Sequence, residues 1–302
     1  MRSGFACIVG RPNVGKSTLT NALVGQKVAI TSDRPQTTRH TIRGIVNRPD
    51  GQLILVDTPG IHRPRTLLGE RLNALVSDTL SEVDLIVMCF PANEAIGPGD
   101  RYIAEQIGQI HKAKKIAVVT KIDTADRQAV GEQLLAVSKL GTELGFEWEH
   151  VVPVSAVDDI QIDLLSNLLL EQLPQGAILY PDGNLTDEPE QILIAELIRE
   201  AALEGVHDEL PHSIAVVVDE MNMRADRAED KPLMDIFAFI YVERESQKHI
   251  VIGRNGSRLK EVGTTAREAI SKILGVPIFL DLRVKVAKDW QRDPKQLNRL
   301  GF

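Results

Sequence analysis

Phe5-Ala-Cys-Ile-Val-Gly10-Arg-Pro-Asn13-Val14-Gly15-Lys16-Ser17-Thr18 is an apolar run that passes into the spacing G-x-x-x-x-G-K-[ST] and then into an amphipathic stretch, Leu19 to Val24. The order reads as a strand, a phosphate loop and a helix start. Glycines at 10 and 15 let the backbone turn tightly enough for successive N–H groups, from Asn13 to Thr18, to point inward around phosphate oxygens. A helix N-terminus adds its positive dipole. In that geometry Lys16 reaches the β- and γ-phosphates of a nucleoside triphosphate, and the Ser17 hydroxyl coordinates Mg²⁺.

Further segments follow in the order a GTP-binding domain requires. Asp57-Thr-Pro-Gly60 ends the apolar run Leu53 to Val56, which puts a carboxylate at the end of a buried strand. There Asp57 can hold the Mg²⁺ shell and the Gly60 N–H can sense the γ-phosphate. Thr120-Lys121-Ile122-Asp123 fits the base-reading pattern [NT]-K-x-D. The Asp123 carboxylate accepts from guanine N1–H and the exocyclic amine, whereas adenine has no such donor pair and would leave it unpaired. Ser155-Ala156 supplies a short loop to close over the base, and the dipeptide carries weight only through its place in the series.

Two polar stretches read as mobile elements, ordered by the γ-phosphate and released on hydrolysis. The first is 31–41, where Gln36-Thr37-Thr38-Arg39 offers a hydroxyl to complete the Mg²⁺ shell, with Thr38 preferred over Thr37. The second runs from Asp57 through Gly60-Ile61-His62-Arg63 to about Gly69. Ile61 stands where many GTPases carry a glutamine that orients the attacking water, and it has no donor or acceptor, so intrinsic hydrolysis is expected to be slow. Asn13 is the candidate to help hold a monovalent cation beside the β- and γ-phosphates, and such a cation would act electrostatically as an arginine finger does.

The 302 residues suit two domains at roughly 150 residues each. The apolar runs are all too short to span a bilayer, which takes about 20 residues, and with a first strand this early no signal peptide is expected. Cys7 and Cys89 lie in strand runs without C-x-x-C spacing, as buried, reduced packing residues would. No histidine has a metal-like or triad-like spacing.

The first part alternates strands near 5–10, 42–48, 52–57, 84–89, 115–120 and 151–155 with helices near 17–24, 66–80, 100–110, 125–144 and 160–173. The turn Arg48-Pro-Asp-Gly51 pairs the second and third strands antiparallel; the rest should be parallel in a doubly wound α/β sheet. Proline and glycine at 174, 176, 181, 183 and 189 mark 174–189 as a linker between a domain of 1–173 and one of 190–302.

Beyond it the expected order is helix (190–204), strand (213–221), strand (235–243), short helix (247–252), Gly253-Arg254-Asn255-Gly256, helix (257–274) and strand (277–287). Residues 244–299 hold 13 Lys/Arg against 6 Asp/Glu, a net of +7, and the rest of the chain carries −14. A glycine-bracketed turn in a basic segment lets backbone N–H groups approach a sugar-phosphate strand, as the G-x-x-G loop of a KH domain does. Ile252 through Ser257 and Lys260 are the candidate RNA-binding residues, with Ile250, Ile252 and Leu259 as apolar platforms. Few aromatics are available for base stacking.

Together these motifs resemble the Era family of bacterial KH-domain GTPases over nearly the full chain. The carriers are Gly10 to Thr18, Gln36 to His40, Asp57 to Gly60, Thr120 to Asp123, Val154 to Ala156, Val251 to Gly256 and the late Trp290. The resemblance implies a P-loop GTPase domain followed by a type II KH domain. It implies GTP and GDP as ligands, binding to the 3′ end of 16S ribosomal RNA, and a role in maturation of the small (30S) ribosomal subunit. A monomer in the cytoplasm, peripherally associated at times with the inner membrane, is expected as well. It also implies the hydrophobic residue at 61 and makes K⁺ activation through Asn13 an expectation. Thr120 stands where asparagine is common, and it lacks the side-chain amide that asparagine would offer the purine. A GTPase of tRNA modification or of membrane-associated cell-cycle control would share the first domain but carry a different module after it.

Overall fold

A computed structural model describes residues 1–32, 37–61, 64, 66–206, 210–225 and 232–302. The expectations for Gln36, His62 and Arg63 lie outside the described residues. The chain divides into two compact units, Met1–Arg65 with Gly69–Asp187, and Thr66–Leu68 with Glu188–Phe302.

The first unit is built on β1 (Arg2–Val9), α1 (Lys16–Val24), β2 (Ile42–Arg48), β3 (Gly51–Asp57), α2 (Leu67–Glu82), β4 (Leu85–Pro91), α3 (Pro98–Gly108), β5 (Lys114–Thr120), α4 (Arg127–Glu143), β6 (His150–Pro153) and α5 (Ile162–Gln172). Its sheet has the order β2-β3-β1-β4-β5-β6, with β2 antiparallel to β3 and every other pair parallel. Continuous apolar runs form these strands because both faces are covered. Ala6, Ile8, Leu53 and Leu55 pack with Leu19 and Leu165 on one face, while Cys7, Val9, Val56 and Ile86 pack with Val76, Ile103 and Val137 on the other. Both cysteines are fully buried and free, and burial pushes the Cys89 thiol up to about 12.

The segment expected to be a linker departs from that expectation. Residues 174–187 are fastened along the first unit rather than crossing open solvent. Ser3 N donates to the Pro174 carbonyl at 3.2 Å, Ile45 N to that of Leu185 at 2.8 Å, and Gly44 and Thr186 form an antiparallel bridge. Buried Gln52 accepts from the amides of Leu179 and Tyr180, both at 2.9 Å, and Arg43 pairs with Asp187 at 2.9 Å. Proline and glycine set the turns of this strap, but side chains more than a hundred residues away hold it.

The second unit contains α6 (Glu190–Leu203), α7 (Leu210–Ser213), β7 (Ala215–Met223), β8 (Met234–Val242), α8 (Glu245–Ile252), α9 (Ser257–Leu274), β9 (Ile278–Val286) and α10 (Pro294–Arg299). Its sheet has the order β7-β8-β9, antiparallel then parallel, with a bulge between Val218 and Glu220. Ile236, Ala238, Ile240 and Val242 face inward and are buried, as are Val262, Ala266 and Ile270 of α9 and Ile194, Leu197 and Ile198 of α6. Trp290 is fully buried, donates from Nε1 to the Ser213 carbonyl at 3.0 Å and stacks on Phe302, which closes the chain's last turn onto this core.

Candidate nucleotide and nucleic-acid sites

At the carboxyl end of β1 the chain turns through Gly10 to Gly15 and enters α1. Asn13 and Gly15 both have positive φ, 65° and 93°, so the loop winds back on itself. Lys16 is buried, and its Nζ donates to the carbonyls of Gly10 (3.2 Å) and Arg11 (2.9 Å), which aims the ammonium along the loop. Burial lowers its pKa from the usual lysine range, and nearby Asp57 offsets part of that effect.

Three oxygens from three separate elements converge beside it. Ser17 Oγ donates to Asp57 Oδ2 at 2.7 Å and lies 2.9 Å from Thr38 Oγ1, which itself stands 3.4 Å from the same carboxylate oxygen. Thr37 points elsewhere, toward the Ser32 carbonyl at 3.4 Å. Asp57 is fully buried, and among the described residues its Oδ1 has no hydrogen-bond partner. Desolvation pushes its carboxyl up to about 6, against the hydrogen bonds from Ser17 and Thr38 and the charge of Lys16. A buried carboxylate with an orphaned oxygen beside two hydroxyls fits a hard divalent cation such as Mg²⁺, which takes oxygen ligands. Among the described residues no group of three His, Cys, Asp or Glu forms an alternative metal cluster.

One cleft is lined jointly by Asn13, Lys16 and Ser17, by Thr31 and Thr38, and by Gly60. Gly60 approaches the phosphate loop so closely that a Cβ there would lie 2.9 Å from Pro12 N. Only glycine lets the loop after β3 touch the phosphate loop in this way. Ile61, next in sequence, is half-buried and packs against the apolar core on the α2–α3 side of the sheet.

The loops after β5 and β6 complete the ring of strand ends. Thr120 Oγ1 donates to the Val14 carbonyl at 2.6 Å, so its hydroxyl braces the phosphate loop. Lys121, at φ 58°, donates from Nζ to the Asn13 carbonyl at 2.6 Å. Asp123 is exposed, and its Oδ1 accepts from Ser155 Oγ at 2.6 Å, with Ala156 beside it.

In the second unit Gly253-Arg254-Asn255-Gly256 joins α8 to α9. Gly253 (φ 73°) is pressed against the start of α9: a Cβ there would stand 2.7 Å from Arg258 Cβ. Asn255 and Gly256 also take positive φ, and Arg254, Asn255, Ser257 and Lys260 are exposed. Ile250 is exposed, while Ile252 and Leu259 are half-buried.

The two units match separate family descriptions, "50S ribosome-binding GTPase" over residues 5–121 and "KH domain" over residues 209–291. A protein of Streptomyces coelicolor named GTPase Era is 67% identical over 301 residues, covering 100% of this chain and 95% of that protein. Its Mycolicibacterium smegmatis namesake is 66% identical over 302 residues, with 100% and 99% covered. The chain belongs to the Era family of GTPases. The solved Era structure in complex with MgGDPNP and nucleotides 1506–1542 of 16S ribosomal RNA superposes with a TM-score of 0.93 at 37% identity, over 100% of this chain and 99% of that one. An Aquifex aeolicus Era variant bound to GDP and AlF4⁻ gives the same TM-score and identity, 0.93 and 37%.

Sequence motifs pass over several residues that hold this Era-family site together. Asn21 on α1 accepts from the amides of Val28 and Ala29, both at 2.9 Å, and so fixes the entry to the stretch that carries Thr38. Arg11 pairs with buried Asp100 at 2.8 Å and with Glu94 at 3.2 Å, tying the phosphate loop to the start of α3. Thr58 Oγ1 donates to the Ile8 carbonyl at 2.9 Å. Each is an ordinary polar residue in sequence, and its role exists only once the strands are side by side.

Proposed function

We propose that this chain is a Mg²⁺-dependent, GTP-hydrolysing switch that binds the 3′ end of 16S ribosomal RNA and assists maturation of the small ribosomal subunit. The observation that carries the reading is the convergence of Ser17, Thr38 and Asp57, with the orphaned Asp57 Oδ1, beside buried Lys16. Ser17, Thr38 and Asp57 would hold Mg²⁺, which when bound neutralises charge on the β- and γ-phosphates. Backbone N–H groups of the loop from Gly10 to Thr18 and the Lys16 ammonium bind the phosphates, and Gly60 N–H senses the γ-phosphate. Asp123 selects guanine, held in place by Ser155, while Thr120, Lys121 and Ala156 shape the base pocket. The likeness to an Era structure that contains MgGDPNP supports the same ligands here.

Ile61 offers no hydrogen bond to an attacking water, so intrinsic turnover is slow. Asn13 helps hold K⁺ at the edge of the phosphate site and raises the rate. In the second unit the exposed Arg254, Asn255, Ser257 and Lys260, with Gly253, Gly256 and the half-buried Ile252, clamp single-stranded RNA. The basic excess of 244–299 and the RNA in that related structure support this assignment. The chain works as a monomer and associates peripherally with the cytoplasmic face of the membrane. Among the described residues no helix is long and apolar enough to cross one.

The reading is tested by following GTP hydrolysis of the purified chain with Mg²⁺ and with chelator, and by titrating a labelled oligonucleotide of the 16S 3′ end. Metal-dependent hydrolysis and RNA binding in the same preparation are expected. Hydrolysis unaffected by chelator, or indifference to that RNA, overturns it.

A further inference from the structure

The sheet of the second unit has a face that the GTP and RNA sites do not use. Helices α6 and α9 pack on the side that carries Ile236, Ala238 and Ile240. Strand alternation sends Phe237, Phe239 and Tyr241 to the other side. In register beside them stand Glu220 and Asp281 flanking Phe237, Val217 and Arg283 flanking Phe239, and Phe279 opposite Asp235. Phe279 is 45% exposed, and its centroid lies 6.4 Å from that of Phe237. A concavity of about 240 Å³ opens among Glu220, Phe237, Phe239, Asp281 and Arg283, with Asp219 of the β7 bulge on its lining.

The chain itself shows which chemistry these rings accept. Lys285 Nζ sits 3.2 Å from the Phe239 centroid, Arg224 Cζ 5.5 Å from that of Phe279, and Arg299 Cζ 6.0 Å from that of Tyr241. Arg224 is the fullest example, because its guanidinium lies over Phe279 while forking onto Asp235 through bonds of 2.6–3.1 Å. A ring face pairs with a planar cation, and a neighbouring carboxylate fixes its orientation.

The charges that remain choose the occupant. Asp219 and Glu220 are exposed and make no ion pair among the described residues, and Asp281 shares its charge only with exposed Arg283. Arg224, Lys285 and Arg299 are held over rings of this face, and among the described residues Arg283 is the one basic group that lines the concavity, so the carboxylates there repel a phosphate backbone and attract a basic chain. Side chains on one side of an extended strand recur at about 6.5–7 Å, close to the 6.4 Å between the Phe237 and Phe279 rings. We propose that this open sheet face docks an arginine-rich segment of a partner protein. It binds in extended form, with arginines at alternate positions stacked over Phe237 and against the part of Phe279 that Arg224 leaves exposed, and paired with Asp219, Glu220 and Asp281. The chain would then hold RNA through the α8–α9 loop and a basic protein through a different surface of the same domain.

The test uses the full chain at physiological ionic strength and three fluorescein-labelled probes: a decapeptide of alternating arginine and glycine, its lysine–glycine counterpart, and decauridine. The arginine peptide should bind severalfold tighter than the lysine peptide. Asp219→Lys with Glu220→Lys should weaken it about tenfold or more, whereas Asp78→Lys with Glu82→Lys, an equal charge change on exposed positions of α2, should change it less than about twofold. Phe279→Leu keeps the charge and the apolar character, and should weaken the arginine peptide more than the lysine peptide. Equal losses in the two charge-reversed proteins overturn the proposal. So does a Phe279→Leu effect confined to decauridine, which would make the face a base-stacking surface, or self-association of the chain that the Asp219 and Glu220 changes abolish.

Discussion

Ser155 Oγ donates a 2.6 Å hydrogen bond to Asp123 Oδ1, so the loop after β6 fixes the carboxylate on the loop after β5. Ser155 in turn accepts from the Asp158 amide at 3.1 Å, and its own side chain is buried. Asp123 therefore meets a base in one orientation. Ser155→Ala should weaken guanine nucleotides by about 1 kcal/mol, roughly fivefold, with base choice unchanged. Asp123→Asn should weaken them further and shift preference toward xanthine nucleotides, whose ring edge offers the complementary group. Titrations with labelled GDP and XDP separate the two effects, and tight GDP binding by Asp123→Asn would contradict the assignment of Asp123.

Asp57 gives a prediction of unusual sign. Its carboxyl is pushed from 3.8 up to about 6 in the folded chain without metal. The folded state then holds a proton that the unfolded chain has released, so this group's stabilising contribution is full below pH 3.8, falls as pH rises to about 6, and is flat above. At pH 7.5 the ionised buried carboxylate costs on the order of 3 kcal/mol. In chelator, Asp57→Asn should therefore melt a few degrees higher than the parent protein at pH 7.5, with the gap closing toward pH 4. With Mg²⁺ and a non-hydrolysable GTP analogue the order should invert, because the substitution removes the charged ligand. Thermal melts across pH in both conditions decide it; a destabilised Asp57→Asn in chelator at pH 7.5 is the adverse result.

Asn13 stands exposed at the lip of the phosphate loop in left-handed backbone, with its carbonyl bound by Lys121. If its side chain helps hold K⁺, hydrolysis should run faster in potassium than in sodium, and Asn13→Ala should erase most of that difference while leaving nucleotide affinity largely intact. Rates that are equal in the two salts would leave Asn13 with a turn-forming role only.

The site was legible where function is written in contiguous residues. The glycine spacing from 10 to 15, Asp57 at a strand end and the 253–256 turn each declare a local backbone geometry. The strap of 174–187 was not legible, since its anchors Ser3, Gly44 and Gln52 lie over a hundred residues away and proline with glycine reads as a break. The aromatic face is hidden in the sequence for a different reason. Residues 236–242 are apolar throughout, so the strand reads as buried on both sides, and aromatics are only 4% of the chain. Their concentration on one surface appears only when β9 lies beside β8 and brings Phe279 next to Phe237.

The nucleotide site and the α8–α9 loop are expected to be coupled. Arg254 and Asn255 are exposed at the tip of the α8–α9 loop, and Thr38 is tied to Ser17 and Asp57, with which it is proposed to hold Mg²⁺. The GTP state should favour RNA binding and the GDP state release. Replacing Arg254→Asp and Asn255→Asp sets two negative charges against RNA phosphates. The double change should lower RNA affinity on the order of tenfold or more, reduce its salt dependence by about one phosphate contact, and leave basal hydrolysis intact. By reciprocity, RNA should raise affinity for GTP relative to GDP by the same factor that GTP raises affinity for RNA. Labelled 16S 3′-end oligonucleotide titrated with both proteins, each in GDP and in the GTP analogue, tests both parts. Unchanged RNA affinity in the double variant removes the loop assignment, and identical affinity in the two nucleotide states removes the coupling while leaving the binding sites themselves standing.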